Sequence, residues 1–99
     1  MKATLIVREK RVVGGTVTEA VAWKLTTPVP GCSHTFKYRF YFGLLDGTCI
    51  LRYDNERGKG DHKHIDGKEE LYDFVSLPQT FRDFNADKAA WLAGRGGNR

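Results

Sequence analysis

The residue types that can carry chemistry concentrate between positions 52 and 66, where a single residue separates His62 from His64. In an extended segment both imidazole rings point to one side, and Lys63 points to the other. Imidazole has an unperturbed pKa of about 6.5 and serves as a general acid or a general base near neutral pH. The first hypothesis is therefore that the two histidines act on a phosphodiester, while neighbouring cationic side chains stabilise the added negative charge.

Two other interpretations of this segment stay open. In one, the histidines chelate a metal ion, because neutral imidazole suits zinc, iron or nickel, and a nearby carboxylate supplies an oxygen ligand. The candidates for that carboxylate are Asp54, Asp61 and Asp66. In the other, the segment is a solvated, charged loop. Under each interpretation the histidines are expected in a polar loop, where replacing either one costs about 0.5 kcal/mol of stability or less.

The charge around the histidines weighs against the metal ion. Local positive charge disfavours a divalent cation and favours phosphate. Four cationic residues lie in the same short segment, namely Arg52, Arg57, Lys59 and Lys63. We therefore predict a metal-independent site that needs no cofactor.

Length and composition describe one small domain. The 99 residues are 40% hydrophobic, which allows one modest core and leaves no room for a second. No apolar run approaches the roughly 18–20 residues of a membrane span, and the start of the chain lacks the apolar stretch of a signal peptide. Cys32 and Cys49 make neither a disulfide framework nor a CxxC zinc pair. These features predict a cytoplasmic protein that does not enter a membrane.

The net charge of +4 is unevenly distributed along the chain. Residues 1–65 carry 11 basic and 6 acidic side chains, whereas residues 66–92 carry 3 basic and 6 acidic ones. A basic front part is compatible with a polyanionic partner, and an ordinary solvated surface accounts for the imbalance equally well.

Two hairpins are predicted to position the charged segment. The first joins residues 3–13 to residues 16–26 through a Gly-Gly turn, and its register places Ile6 opposite Trp23. The second joins residues 36–42 to residues 48–54. Its turn is Asp-Gly, a strong signal for a two-residue type I′ turn.

The second hairpin separates an aromatic face from a charged one. Its register pairs Phe42 with Leu51 and Phe40 with Tyr53 on the side predicted to be buried. On the opposite side it pairs Tyr41 with Arg52 and Arg39 with Asp54.

The last third of the chain predicts a short strand and a helix. Residues 71–75 form the strand, and Ser76-Leu77-Pro78-Gln79 matches a capping box, after which bulky residues follow helical spacing. We predict an α+β fold: a mostly antiparallel twisted sheet, made of two hairpins plus a short strand, covered by one C-terminal helix. Residues 1–92 form the domain, and residues 93–99 form a disordered tail.

Three strings resemble the TumE-like family of small bacterial proteins: Lys37-Tyr38-Arg39-Phe40, Arg52-Tyr53-Asp54-Asn55-Glu56, and the glycine-containing loop into His62-Lys63-His64. The resemblance covers about residues 3–92, and its most specific part is the Tyr-Asp-Asn to His-x-His block. It implies a toxin of a type II toxin–antitoxin module, encoded beside a helix-turn-helix antitoxin and acting on RNA or translation. The matching motif positions are Arg52, Asp54, Asn55, His62 and His64.

The residues and the resemblance together predict a toxin-like ribonuclease. His62 and His64 are the acid–base candidates, and Asp54 orients one imidazole ring. Contacts to RNA are expected from a larger set, namely Arg39, Tyr41, Arg52, Asn55, Lys59 and Lys63. In-line attack places acid and base on opposite sides of phosphorus, so one of the two same-side histidines is expected to orient a group or bind phosphate.

The alternative is a non-enzymatic regulatory module whose basic face binds RNA or a partner protein. Under that hypothesis the arginines matter most and no RNA is cut. Under catalysis, replacing a histidine abolishes activity while RNA binding persists. The expected partners are the antitoxin and RNA, and self-association into a homo-oligomer is a further candidate.

Overall fold

The computed structural model describes the backbone of residues 2–97 and the side chains of residues 2–94. Six antiparallel strands form one sheet in which each strand pairs with its neighbours in sequence, and one helix follows them. The elements are β1 (Ala3–Val13), β2 (Thr16–Leu25), β3 (Phe36–Leu44), β4 (Cys49–Glu56), β5 (Gly60–Ile65), β6 (Lys68–Leu71) and α1 (Leu77–Gly97). The predicted α+β class, with a largely antiparallel sheet and one C-terminal helix, is confirmed.

The helix covers one face of the middle strands with aromatic side chains. Phe40 meets Phe81 edge-on, with ring centroids 5.3 Å apart, and Phe42 meets Trp91 in the same way at 5.5 Å. Phe84 is fully buried among them. Edge-to-face pairs stabilise a core beyond the area that they bury, so this cluster holds the sheet and the helix together.

The start of α1 follows the predicted cap. The Gln79 backbone N–H donates to the Ser76 hydroxyl oxygen at 3.1 Å, as an N-cap requires. Pro78 lies in the first turn, where its missing N–H costs no hydrogen bond. The helix is continuous to Gly97, which includes part of the predicted tail 93–99. Residues 98 and 99 lie outside the described residues, and the boundary at residue 92 stays a prediction.

The central pairing of β3 with β4 is the predicted one, although the turn is different. Phe42 pairs with Leu51 and Arg39 with Asp54, as expected. The loop has three residues rather than two, since Leu44 pairs through its N–H with the carbonyl of Thr48, and Gly47 takes a φ of 98°. An irregularity between Phe42 and Gly43 then restores the register, because it adds one residue to β4.

The first hairpin differs from its predicted register at one end. A bulge between Leu5 and Val7 places Leu5, and not Ile6, opposite Trp23. The extra residue in β1 shifts every pair beyond it by one position. Lys10 still lies opposite Glu19, because that pair is on the turn side of the bulge.

The histidine segment is a strand, and not the loop of the third sequence-based interpretation. β5 and β6 form a third hairpin through Asp66 and Gly67, whose φ angles of 51° and 79° are those that a type I′ turn demands. The strand predicted at residues 71–75 is also wrong, since β6 ends at Leu71. Among the described residues, no helix has the length and apolar character to cross a membrane.

Candidate functional site

The sheet face opposite α1 carries two rows of polar side chains, and the strand register sets their order. One row runs across β3, β4 and β5 through Arg39, Asp54 and His62. The next row runs through Tyr41, Arg52, His64 and Glu69, and it reaches β6. Directly paired residues lie within contact distance on the same face of an antiparallel sheet. The register therefore brings together the predicted catalytic trio Asp54, His62 and His64.

His62 is the centre of this arrangement. Its side chain is 2% exposed, and its Nε2 atom lies 2.9 Å from Oδ1 of Asp54, a carboxylate that is itself 9% exposed. Two further carboxylates approach the same nitrogen, Glu69 at 3.2 Å and Glu56 at 3.5 Å. The other ring nitrogen, Nδ1, lies 3.2 Å from the Gly60 carbonyl oxygen. Among the described residues, the polar atoms that contact this imidazole are thus all oxygen acceptors.

The contact between His62 and Asp54 has the length of an ion pair without the direction of a hydrogen bond. Both His62 Nε2 and Asp54 Oδ1 are buried, and neither forms a hydrogen bond of acceptable geometry among the described residues. The two atoms are close enough for a hydrogen bond, but they are misaligned, and hydrogen bonds weaken steeply when donor and acceptor are misaligned. The pair is therefore a close electrostatic contact whose hydrogen-bonding capacity is unused.

His64 lies beside His62 and is more open to solvent. The ring centroids are 5.8 Å apart, and the His64 side chain is 26% exposed. Its Nε2 atom lies 3.5 Å from Oε1 of Glu69. The two rings lie on one side of β5, as expected for an extended segment, and His64 is the more exposed of the two.

Cationic side chains border the histidines on both sides. The Arg52 Nε atom lies 3.1 Å from Oδ2 of Asp54, and the Lys59 ammonium lies 3.2 Å from Oε2 of Glu69. The hydrogen bond from Lys59 lowers the pKa of the Glu69 carboxyl below its ordinary value. Arg39 stacks on the ring of Tyr41 with 4.9 Å between the guanidinium carbon and the ring centroid. Burial raises the pKa of the Tyr41 phenol.

Two openings border this face. A groove of about 550 Å³ is lined by Lys10, Arg39, Tyr41 and Arg52, among others. A smaller one of about 330 Å³ is lined by Lys59, His62, Glu69, Glu70 and Leu71. The first offers cations and an aromatic ring, and the second leads from solvent to the buried histidine.

Two of the residues predicted to contact RNA, Lys63 and Asn55, do not lie on the sheet face that carries the histidines. Lys63 lies on the helix face, where its ammonium is 3.7 Å from Asp87 and lies over the ring of Tyr53. Asn55 is fully buried: its Oδ1 accepts the Tyr38 backbone N–H at 3.0 Å, and its amide donates to a backbone carbonyl. Strand alternation turns both side chains away from the face that carries the histidines, so the structure does not bring Lys63 and Asn55 to this site.

The alternative carboxylate ligands considered for a metal ion are not beside the histidines. Asp61 accepts hydrogen bonds from the Tyr38 hydroxyl at 2.7 Å and from Nε2 of His34 at 2.9 Å. The Phe36 backbone N–H donates to Nδ1 of His34, which leaves Nε2 as the protonated nitrogen. Asp66 lies exposed in the β5–β6 turn. These hydrogen bonds join the loop before β3 to β5, and within this second polar cluster His34, Tyr38 and Asp61 all have hydrogen-bond partners.

Glu56 and Glu69 are the site residues that sequence reasoning missed. Glu56 was quoted only as part of a string, and Glu69 lies in the acid-rich residues 66–73, which were considered as a surface for a basic segment of the antitoxin and not as part of the site. The Asp66-Gly67 dipeptide was the signal that could have found Glu69, because a tight hairpin there pairs Glu69 with His64.

Comparison with known protein families gives one match. A family model described as Toxin TumE matches residues 2–92, which is most of the chain. No curated protein and no solved structure matches the chain.

Proposed function

The chain belongs to the TumE toxin family, and from this premise we propose that it acts as the toxin of its module by cleaving RNA. Membership of a toxin family implies an antitoxin as partner. The finer parts of the proposal concern the substrate and the site. RNA is the substrate class, and the two polar rows around His62 and His64 are the site.

The observation that carries the proposal is the pairing of one buried and one open histidine beside an arginine. His64 is the exposed ring and acts as the general acid or base. His62 and Asp54 lie beneath it and position the site, because both are more than nine-tenths buried. This division answers the geometric objection that two same-side histidines do not readily flank phosphorus.

Charge and ring chemistry at the larger groove support RNA as the substrate. Arg39 and Arg52 provide cations for phosphate oxygens, and the planar guanidinium group suits that geometry. Tyr41 offers a ring on which a base stacks, a contact that every base can make. Lys59 lies at the opposite edge of the site, next to Glu69, and is the third phosphate contact in the proposal.

The experiment is growth inhibition by the protein expressed without its antitoxin. We expect His64→Ala to abolish inhibition while the protein remains folded, since this side chain is partly exposed. The matched control is Lys68→Ala, another exposed residue of the same hairpin that lies outside the site. Full toxicity of folded His64→Ala would exclude this residue from the chemistry.

A second candidate function is a non-enzymatic module that binds RNA or protein, and one observation favours it. Asp54, Glu56 and Glu69 surround His62 with negative charge, which repels a phosphodiester. If this function is correct, Arg39→Ala and Arg52→Ala remove toxicity while the wild-type protein cuts no RNA.

The remaining partners are also proposals. The antitoxin is of the helix-turn-helix type, the complex forms in the cytoplasm, and the toxin self-associates when it is free. Co-expression with the neighbouring small gene followed by copurification tests the first point. Light scattering on the purified toxin tests the last.

A further inference from the structure

We propose that Asp54, Glu56 and His62 form a binding site for a divalent transition-metal ion, beside the carboxylate of Glu69. The assignment goes beyond the proposed RNA cleavage and rests on the ligand atoms alone. His62 and Asp54 come from adjacent paired positions of β5 and β4, while Glu69 comes from β6. The ligands therefore come from two neighbouring strands, and the third strand, β6, places the Glu69 carboxylate beside them.

The distances among the ligand atoms fit a small cation. Around Nε2 of His62, the carboxylate oxygens of Asp54, Glu69 and Glu56 lie at 2.9, 3.2 and 3.5 Å. The ligand atoms of the first trio all lie within 4.8 Å of one another. In a tetrahedral zinc site with bonds of about 2.0–2.2 Å, ligand atoms are separated by about 3.3–3.6 Å. An expansion of a few tenths of an ångström thus suffices to admit the ion.

A second observation is that the buried ligand atoms lack hydrogen bonds. Asp54 Oδ1 and His62 Nε2 are buried and without an acceptable hydrogen-bond partner among the described residues, although they point into the same cluster. Leaving a buried polar atom unpaired costs about 1–3 kcal/mol, and more when the group is charged. A cation between them would satisfy both atoms at once.

The environment of the other ring nitrogen favours the same assignment. Nδ1 of His62 lies 3.2 Å from the Gly60 carbonyl oxygen, which can only accept a hydrogen bond. Nδ1 therefore carries a hydrogen, and in the neutral ring the lone pair is on Nε2, facing the carboxylates. Metal-binding histidines commonly donate their second N–H to a backbone carbonyl in this way.

The charge balance differs from the one that the sequence suggested. Metal independence was expected because four cations share the segment, yet Lys63 lies on the opposite face of the sheet. Arg57 lies exposed in the β4–β5 turn. Three carboxylates then lie near Arg52 and Lys59, so carboxylates outnumber the cationic side chains around His62. That balance attracts a divalent cation.

The ligand types and the access route narrow the choice of ion. Imidazole with carboxylate suits zinc, cobalt or manganese better than magnesium, which prefers oxygen alone, or copper(I), which prefers sulfur. The smaller opening of about 330 Å³ reaches His62 and Glu69 from solvent. Glu56 is 46% exposed and can swing onto an arriving ion.

Titration calorimetry of the full-length protein, prepared without a histidine tag and treated with chelator, tests the site. Zinc chloride and manganese chloride are the probes, and we expect one ion per chain for at least one of them. Glu56→Gln replaces a carboxylate ligand at a half-exposed position, so the fold should persist. We expect this variant to bind the metal ion about tenfold or more weakly than the wild-type protein. Glu69→Gln should also weaken metal binding, because it removes the negative charge beside His62 Nε2.

Glu70→Gln is the matched control for Glu69→Gln. Its side chain is the immediate neighbour of Glu69, is 63% exposed and pairs with Lys63 on the other face. Unchanged binding in Glu70→Gln, together with weakened binding in Glu56→Gln and Glu69→Gln, supports the site. Absence of binding by the wild-type protein, or equal affinity in all three variants, overturns it. These calorimetric measurements do not depend on RNA cleavage. The metal site can therefore fail or succeed independently of the proposed ribonuclease function.

Discussion

Asp54 on β4 and His62 on β5 are direct cross-strand partners whose side chains meet at 2.9 Å below the surface of the sheet. Their positions follow from backbone pairing, and their burial follows from the side chains that close over them. This relationship makes His62 a structural residue as well as a candidate functional one.

His62→Ala is therefore expected to destabilise the fold. Truncating this buried ring leaves a cavity and leaves the buried Asp54 carboxylate without the side chain that faces it, which costs about 1–3 kcal/mol or more, well above the 0.5 kcal/mol expected for a loop. Urea denaturation of the two histidine variants measures it, with His64→Ala as the control because its side chain is partly exposed. Equal free energies of unfolding for the two variants would contradict this account of His62.

Asn55→Ala should also lower the free energy of unfolding, and by a different route. The substitution leaves the Tyr38 backbone N–H and a buried carbonyl without their partner, at about 1–3 kcal/mol for each unsatisfied group. Denaturation gives the loss of stability, and RNA affinity per folded molecule should be unchanged. Weaker RNA binding with normal stability would instead return Asn55 to the binding surface.

Much of the sheet could be predicted because its central hairpin has a simple alternation. Aromatic residues recur at every second position of β3, so Phe40 and Phe42 indicate the buried face and Arg39 indicates the other. The predicted turn type was wrong, yet the pairs were right, because a three-residue loop and one extra residue in β4 compensate each other. The pattern of hydrophobic residues along the sequence indicates neither the longer loop nor the extra residue in β4.

The third hairpin could not be found by the same pattern. β5 and β6 are made largely of charged residues, so their side chains do not alternate between apolar and polar types. Their strand character comes from pairing of β5 with β4 and of β6 with β5, a tertiary effect that overrides local propensity. Glu69 was missed for this reason, whereas Lys63 was counted among the RNA contacts for its charge, although strand alternation already pointed it away from the histidines.

Replacing Lys59 should change the titration of Glu69. The hydrogen bond from Lys59 lowers the pKa of this carboxyl, so the contact stabilises the fold above the ordinary carboxyl pKa. The stabilisation is lost as the pH falls through the lowered pKa. In Lys59→Gln we expect the Glu69 pKa, measured by carbon-13 NMR, to rise toward its ordinary value. Lys68→Gln is the control, and an unmoved Glu69 pKa in Lys59→Gln would remove Lys59 from the site.

The two sheet faces should differ in RNA binding. Arg52→Ala and Arg39→Ala should each weaken RNA binding and reduce the slope of log affinity against log salt by about 1. Lys63→Ala removes the same charge from the opposite face and should leave both quantities unchanged. Equal losses in all three variants would mean that RNA does not follow the groove beside Tyr41.

The most direct test of the central claim is single-turnover RNA cleavage by the purified wild-type toxin and by His64→Ala, each saturated with RNA. Saturation separates the chemical step from binding, and the partial exposure of His64 keeps the variant folded. A general acid or base contributes about 10²–10⁴-fold, so we expect the cleavage rate to fall by that factor while RNA affinity is retained. Cleavage by His64→Ala at the wild-type rate, or no cleavage by the wild-type toxin at all, would contradict the assignment of an RNA-cleaving site to this face.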